Sequence, residues 1–185
     1  MKLPRGLAVL VLLLLGARPV LGRVLMTQKD ALALAFPAGV KVERRTAYLD
    51  AEQLKAAEAD GRVKIGSKVW SYYVGTSSAG VLGYAYFDTH VVRTMPETFM
   101  AVLEPGGAVR FVELLSFQEP DDYLPSERWL KQFQGKELKD DLLVHRAIRN
   151  MTGASLTSET LSSGVRRILA VHAVLHPKIR ILTLR

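Results

Sequence analysis

Cysteine is absent from this chain of 185 residues, and its absence excludes several kinds of covalent and metal chemistry. Without thiols the chain forms no disulfide, thiolate metal site, iron–sulfur cluster or covalent c-type haem. Histidine is also scarce, and of the four histidines only His172 and His176 have a spacing that lets them share one helix face. Because Pro177 follows at once, this pair indicates the end of a helix and not a metal site.

Runs of basic residues are lacking as well, although the chain is basic overall. Its 25 Lys and Arg residues exceed its 18 Asp and Glu residues, which gives a formal net charge of +7. The basic residues are scattered, with no cluster of Lys or Arg interleaved with aromatic side chains, so we expect no nucleic-acid binding. An anionic cofactor or an acidic partner protein accounts for the excess charge instead.

Long hydrophobic runs are limited to one short run near the start of the chain. Two basic residues precede it, and residues 7–15 form its apolar centre. Residues 20–22, which are small or tolerated before a signal-peptide cleavage site, follow. This order is typical of a secretory signal peptide, and the run is shorter than a typical transmembrane helix. We expect a signal peptide at 1–22, with an uncleaved anchor as the alternative, and a mature domain at 23–185 outside the cytoplasm.

The mature sequence combines helix and strand patterns in an order that predicts an α+β domain. The predicted strands are 40–49, 68–76, 81–90, 97–103 and 108–117. The predicted helices are 27–36, 51–59, 126–133, 138–148 and 158–175, and a strand-like tail follows at 179–184. Successive strands joined by short turns predict an antiparallel sheet of hairpins, and flanking helices complete a single domain.

One segment, residues 150–158, concentrates hydroxyl side chains and is called here the hydroxyl-rich segment. It reads Asn-Met-Thr-Gly-Ala-Ser-Leu-Thr-Ser, and an apolar pattern with helical spacing follows it. Thr157 or Ser158 is therefore the expected N-cap of the last helix. Hydroxyl groups beside the positive end of a helix dipole favour a phosphate, whereas the alternative is an ordinary Ser/Thr-rich cap.

The stretch 152–158, Thr-Gly-Ala-Ser-Leu-Thr-Ser, resembles the signature of the FMN-binding domain family. Members of that family include the periplasmic flavin subunits of the sodium-pumping NADH:quinone reductase and of the ferredoxin:NAD oxidoreductase. The fourth residue of the family signature carries FMN through a phosphoester, and Ser155 stands at that position. Residues 24–37 resemble the start of small secreted members, and 82–86 and 107–117 resemble the family's central hairpins.

The resemblance implies FMN as the cofactor, attached by a flavin transferase or bound non-covalently. The residues implied in binding it are Ser155, Thr152, Gly153, Ala154, Thr157, Ser158, Glu119 and Arg149. Glu119 lies where larger members carry a loop near the flavin. Arg149 stands where the family usually has an acidic residue, and an arginine there suits a phosphate held non-covalently. The resemblance also implies a periplasmic location, or one on the extracytoplasmic face of the inner membrane.

The flavin ring requires an apolar or aromatic wall, and several aromatic residues are candidates for it. They are Tyr72, Tyr84, Tyr86, Phe117, Tyr123 and Trp129, each with ordinary core packing as the alternative. Arg93 or Arg149 is a candidate for stabilising a reduced, anionic flavin. These roles follow from the expected cofactor.

The sequence favours a redox carrier over a stand-alone enzyme, because it shows no nucleophile–base pair and no Gly-x-Ser-x-Gly elbow. The principal hypothesis is an extracytoplasmic FMN-binding electron-transfer protein that works with membrane or periplasmic redox partners. An alternative is a secreted binding or assembly module of a respiratory complex that has lost the flavin. A third hypothesis is a flavin-dependent enzyme with a small substrate of its own.

Overall fold

A six-stranded antiparallel sheet dominates residues 23–177, the part of the chain that the computed structural model describes. The strands are β1 (Arg23–Val24), β2 (Lys41–Tyr48), β3 (Val69–Ser77), β4 (Gly80–Val92), β5 (Met95–Leu103) and β6 (Val109–Phe117). Their order across the sheet is β1-β6-β5-β4-β3-β2, and every neighbouring pair is antiparallel. This arrangement confirms the predicted α+β domain of hairpins flanked by helices.

Within the described residues, four α-helices cover the two faces of the sheet. They are α1 (Gln28–Ala35), α2 (Ala51–Gly61), α3 (Glu127–Leu130) and α4 (Ser155–Leu175). A smaller core joins α1 to one face through Ala31, Ala35 and Phe36, which pack with Met100 and Val102. The larger core lies on the other face, where α2, α3 and α4 pack on the sheet. The sheet is therefore the middle layer of three.

Local capping explains the start of the first two helices. The Thr27 hydroxyl accepts from the Asp30 N–H at 3.2 Å, which satisfies one free donor of the first turn of α1. At α2, Asp50 and Gln53 form a reciprocal capping box, with bonds of 2.8 and 3.1 Å. These bonds join residues three apart, so they form independently of the rest of the fold.

The prediction of a helix at 138–148 is wrong, because residues 137–150 form turns held by local polar contacts. The Asp140 carboxylate accepts from the Glu137 N–H at 2.7 Å, and the Asp141 carboxylate pairs with Arg62 and Arg146 at 2.8 Å each. Aspartate side chains that bind nearby backbone and charged groups compete with helical hydrogen bonding. The strand-like tail at 179–184 and the signal peptide predicted at 1–22 lie outside the described residues.

Two smaller differences concern the ends of elements. The short strand β1, which the sequence analysis does not predict, pairs Arg23 with Phe117 at the edge of the sheet. The helix predicted at 126–133 is a single α-helical turn, α3, followed by a 3₁₀ turn at Lys131–Phe133. Within residues 23–177, no helix combines the length and the apolar character that crossing a bilayer requires.

Gly164 sets how closely α4 approaches the sheet. A Cβ atom at this position would lie 2.7 Å from the Phe99 ring and 2.9 Å from the Asp88 carboxylate, closer than van der Waals contact permits. The absence of a side chain therefore lets the helix backbone pack directly on β4 and β5. This contact fixes the position of α4 along the sheet, and with it the position of the hydroxyl-rich segment.

Replacing Gly164 with valine is expected to lower the free energy of unfolding by about 1–3 kcal/mol, because the added atoms overpack this contact. Urea unfolding followed by circular dichroism measures the change. Gly106→Ala is the control, since nothing lies within 4 Å of a Cβ placed at that turn. Equal stability of the Gly164→Val protein and the wild type would contradict the close packing of α4.

Candidate functional site

The hydroxyl-rich segment forms a turn that leads into α4, and the helix begins earlier than the sequence predicts. Its first residue is Ser155, its N-cap is Ala154, and no side chain among the described residues caps it. The prediction that Thr157 or Ser158 caps the helix is therefore wrong. Both residues lie within the first turn, where the Thr157 side chain is fully buried and Ser158 bonds back to the preceding turn.

Ser158 ties the turn to the helix. Its hydroxyl accepts from the Met151 N–H at 3.0 Å and donates to the Ala154 carbonyl at 3.1 Å. The Ala154 N–H in turn donates to the Met151 carbonyl at 3.1 Å, which closes the turn. Ser158, expected as a cofactor ligand, therefore has its hydroxyl engaged in holding the segment together.

Gly153 occupies the most exposed point of this turn, with a positive φ of 81°. Residues with a side chain rarely adopt this backbone conformation, so a glycine is favoured here. Nothing lies within 4 Å of the position that a Cβ would take. Together with the exposed Thr152 beside it, Gly153 leaves open space in front of the helix N-terminus.

Two residues of the α3 region fix the preceding backbone. The Trp129 indole N–H donates to the Arg149 carbonyl at 2.6 Å, and the Gln132 side chain accepts from the Arg149 N–H at 2.8 Å. Arg149 is thus held through its main chain while its side chain remains exposed at the edge of the segment. Trp129, expected as a possible wall for the flavin, instead positions the segment.

Ser155 is an exposed hydroxyl residue of the segment and the first residue of the helix. Its Oγ accepts from the Asn150 side-chain amide at 2.8 Å, which leaves the hydroxyl proton free to donate. The N–H groups of the first helical turn have no intrahelical acceptor, and no acidic residue lies in that turn. The Ser155 Oγ atom is therefore accessible and lies at the positive end of a 21-residue helix.

The hydroxyl-rich segment lies at the end of the sheet where β4 turns into β5. Gly164 packs beside Asp88 and Phe99, and His172, two turns later, bonds to Tyr86, so α4 runs antiparallel to β4. Ser155 precedes Gly164 by nine residues, or about 13 Å of helix. The first turn of α4 is therefore level with the end of β4, because four residues of strand beyond Asp88 also span about 13 Å.

Charged residues that range from the buried Glu97 to the exposed Arg93 meet at this same end of the sheet, in a group called here the polar cluster. It consists of Asp88, His90, Arg93, Glu97, Glu119 and Arg167. The Asp88 carboxylate lies 2.8 Å from the Arg167 guanidinium and 3.4 Å from His90 Nδ1. Glu97 Oε2 lies 3.8 Å from His90 Nε2, which places the imidazole between two carboxylates.

Glu119 extends the polar cluster beyond the end of β6. Its side chain is buried, and Oε2 lies 3.5 Å from the Arg93 guanidinium. Arg93 also stacks over the Tyr123 ring, with its central carbon 4.4 Å from the ring centroid. Glu119 and Arg93, both expected near a flavin, are thus paired with each other, and Tyr123 lies against the same pair.

Burial and neighbouring charges shift the pKa values of two residues in the polar cluster. Burial by itself lowers the pKa of His90, but the Asp88 and Glu97 carboxylates outweigh it and raise that pKa from 6.5 to about 9. Burial also raises the pKa of Glu97 above 4.5, opposed by His90 and reinforced by the charge of Glu119. At neutral pH the imidazole of His90 is therefore protonated.

Several buried polar atoms in this part of the molecule have no hydrogen-bond partner among the described residues. Those of the hydroxyl-rich segment and the polar cluster are Asn150 Oδ1, Thr157 Oγ1, His90 Nε2, Glu97 Oε1 and Oε2, and Glu119 Oε1. Thr157 lies two turns before Gly164 on the helix face that packs on the sheet, so its hydroxyl is directed toward this interior. Unsatisfied buried polar atoms are rare in folded proteins, and their concentration here suits a polar ligand.

Three of the aromatic residues expected to wall a flavin lie at the opposite end of α4. Tyr72, Tyr84 and Tyr86 pack around His172 and His176, with ring centroids 4.7 to 5.8 Å from the histidine they contact. Seventeen residues of helix, about 25 Å, separate Ser155 from His172. The alternative of ordinary core packing is therefore correct for these three tyrosines. Tyr123, in contrast, lies beside the polar cluster.

His90, Glu97 and Asn150 belong to this site but are missing from the sequence-based assignment. The sequence contains part of the pattern that would identify them. Asp88 and His90 occupy alternate positions of β4 that share a face with Tyr84 and Tyr86. Glu97 faces His90 from β5. Polar residues at strand positions that should point into the core are candidates for function. No group of three or more histidine or acidic side chains within residues 23–177 has an arrangement that could hold a metal ion.

Comparisons of this chain with sequence models of protein families, with curated proteins and with solved structures give no match.

Proposed function

We propose that this protein is an extracytoplasmic FMN-binding electron-transfer protein whose flavin is attached through a phosphoester at Ser155. A flavin transferase attaches the cofactor from a flavin dinucleotide: the Ser155 oxygen loses its proton and bonds to the phosphorus of the FMN half, the pyrophosphate bond of the dinucleotide breaks, and the other nucleotide leaves as its monophosphate. The protein then works with redox partner proteins in the periplasm or at the outer face of the inner membrane. The resemblance of residues 152–158 to the FMN-binding signature motivates the proposal.

The observation that carries the proposal is an exposed serine at the uncapped start of a long helix. An ester at Ser155 retains negative charge on the phosphate, and the free N–H groups of the first turn of α4 stabilise that charge. A helix start without a capping side chain or an acidic residue is complementary to an anion. The exposed Arg149 adds a positive charge at the edge of the segment.

The residues around the segment also fit the rest of the cofactor. Thr157 Oγ1 and Asn150 Oδ1 are buried without partners, and FMN carries hydroxyl and phosphate groups that pair with such atoms. Glu97 and Glu119 present carboxylate oxygens without partners at the same end of the sheet, which suits a ligand with N–H or O–H donors. FMN would therefore supply the negative charge that the helix start favours. It would also supply hydrogen-bond partners for the buried polar atoms that have none among the described residues.

FMN supplies the redox chemistry when bound, since it accepts electrons from one partner and passes them to another. The residues of this chain bind its phosphate, exclude water and set the local charge. Arg93 pairs with Glu119, and the protonated His90 lies beside Glu97, so these two cations offset the negative charge of the carboxylates in the polar cluster. The net charge of +7 favours docking of acidic redox partners.

Intact mass and a visible spectrum test the proposal on protein secreted by a host that carries a flavin transferase. We expect a yellow protein whose mass increases by one FMN and keeps that increase after denaturation. Colour that is lost on denaturation would restrict the proposal to non-covalent binding. A colourless protein of unmodified mass would overturn it and favour the flavin-free binding or assembly module of a respiratory complex.

A further inference from the structure

At one end of the sheet, the neighbouring strands β3 and β4 separate from each other. Across the described residues, β3 and β4 pair only as far as Tyr72 and Tyr86, although β3 begins at Val69 and β4 continues to Val92. The unpaired ends diverge and enclose a cleft of about 750 Å³. This volume lies within the range of about 300–1,000 Å³ that is usual for small-molecule sites.

Contacts on either side hold the two strands apart. The Trp70 indole N–H donates to the Ser67 carbonyl at 2.9 Å, and the Arg44 guanidinium on β2 donates to the Ser71 hydroxyl at 3.1 Å. On the other side, Arg167 of α4 binds the Asp88 carboxylate at 2.8 Å. Each strand end is thus fixed to its own neighbour, and the cleft is part of the folded structure.

Positive charge is in excess within this cleft. Arg44, Arg167 and His90 line it together with a single carboxylate, that of Asp88. Asp88 pairs with both Arg167 and His90, whereas no ion pair joins Arg44 to any carboxylate within residues 23–177. The exposed guanidinium of Arg44 donates to the Ser71 hydroxyl and keeps further N–H donors available, and its planar shape is suited to binding a carboxylate or sulfonate.

Aromatic side chains supply the apolar part of the lining. They are Trp70, Tyr73 and Phe87. Trp70 packs in the larger core on one face of the sheet, whereas Tyr73 and Phe87 lie against the smaller core on the other face, so aromatic rings line the cleft from both faces. Such rings, together with a guanidinium that is not ion-paired, form a combination by which proteins bind planar organic acids. The cleft has no residue in common with the hydroxyl-rich segment, so a ligand here is distinct from one attached at Ser155.

We propose that this cleft binds a small organic anion with a planar ring, whose acidic group binds Arg44 and whose ring packs against Trp70. The proposal does not depend on the flavin, because neither Arg44 nor Trp70 belongs to the site proposed for FMN. It gives the protein a second ligand site, which opens through the sheet next to the polar cluster. His90 and Asp88 separate the two sites, since both residues line the cleft and belong to the cluster.

Isothermal titration calorimetry of flavin-free protein tests the proposal with naphthalene-1-carboxylate as the probe and the neutral naphthalene-1-methanol as its match. We expect the carboxylate to bind one site at least tenfold more tightly than the alcohol. Arg44→Gln is expected to weaken carboxylate binding about tenfold. Arg45→Gln is the control, because Arg45 follows on the same strand, pairs with Glu43 and does not line the cleft.

Tryptophan fluorescence locates the bound probe, because the chain has two tryptophans and only Trp70 lines the cleft. The change in emission caused by naphthalene-1-carboxylate should disappear in Trp70→Phe and persist in Trp129→Phe. Circular dichroism establishes that each variant is folded. Equal binding of the acid and the alcohol, unchanged affinity in Arg44→Gln, or a full emission change in Trp70→Phe would each overturn the proposal, as would no binding of the acid.

Discussion

Replacing Ser155 with alanine is expected to abolish covalent FMN attachment completely, because it removes the only oxygen at this position that can form the phosphoester. The variant should be secreted at normal levels, since Ser155 is exposed and its hydroxyl only accepts a hydrogen bond from Asn150. Intact mass after denaturation, on protein made with a flavin transferase, measures the effect as the loss of one FMN.

Two further variants separate loss of the attachment atom from damage to the segment. Ser155→Thr keeps a hydroxyl at this position, so we expect it to retain the FMN mass. Thr152→Ala removes a neighbouring exposed hydroxyl and should also retain it. An FMN mass that survives denaturation of the Ser155→Ala protein would place the linkage elsewhere and contradict the assignment.

The second large effect expected is a loss of stability as the pH rises from 6.5 to about 9. In the folded protein the pKa of His90 is raised to about 9, so over this interval the unfolded chain releases a proton that the folded protein keeps. The stabilisation is complete below pH 6.5 and is lost as the pH passes the folded-state value. At 1.36 kcal/mol per pH unit, the loss is on the order of 3 kcal/mol.

The raised pKa of Glu97 acts in the same direction, because a buried acid that holds its proton more tightly when folded also loses stability as the pH rises. Asp88, Glu119, Arg93 and Arg167 are the other charged residues of the polar cluster. Urea unfolding at several pH values measures the slope, and His90→Gln is the matched control that should remove the part of the slope that is due to His90. A wild-type free energy of unfolding that is constant from pH 6.5 to 9 would contradict the ion pairs around His90.

The two effects relate to different parts of one end of the molecule. The hydroxyl-rich segment offers an exposed oxygen at a helix start, whereas the polar cluster offers buried charge beneath the β4–β5 turn. The α4 contact at Gly164 places both at the same end of the sheet. A cofactor attached at Ser155 therefore has a charged interior near it, and the pH dependence of that interior can be measured without the cofactor.

The sequence predicted helices and strands correctly where their formation depends on nearby residues. Apolar patterns separated by short turns predicted β2 to β6, and helical patterns predicted α1 and α2 close to their observed positions. The same local reasoning failed at α4, where Thr157 is drawn into the helix–sheet interface and Ser158 into the first turn. It also failed at 138–148, where Asp140 and Asp141 bind the backbone and distant arginines.

The sequence by itself determined the α+β class, the order of the strands along the chain and the composition of the segment that contains Ser155. Only the tertiary structure decided where α4 begins, which hydroxyls remain exposed, and that His90 lies between Asp88 and Glu97. Capping and alternation act over a few residues and can be recognised in a sequence. The polar cluster and the cleft instead require strand register and the packing of α4, which join residues up to 79 positions apart.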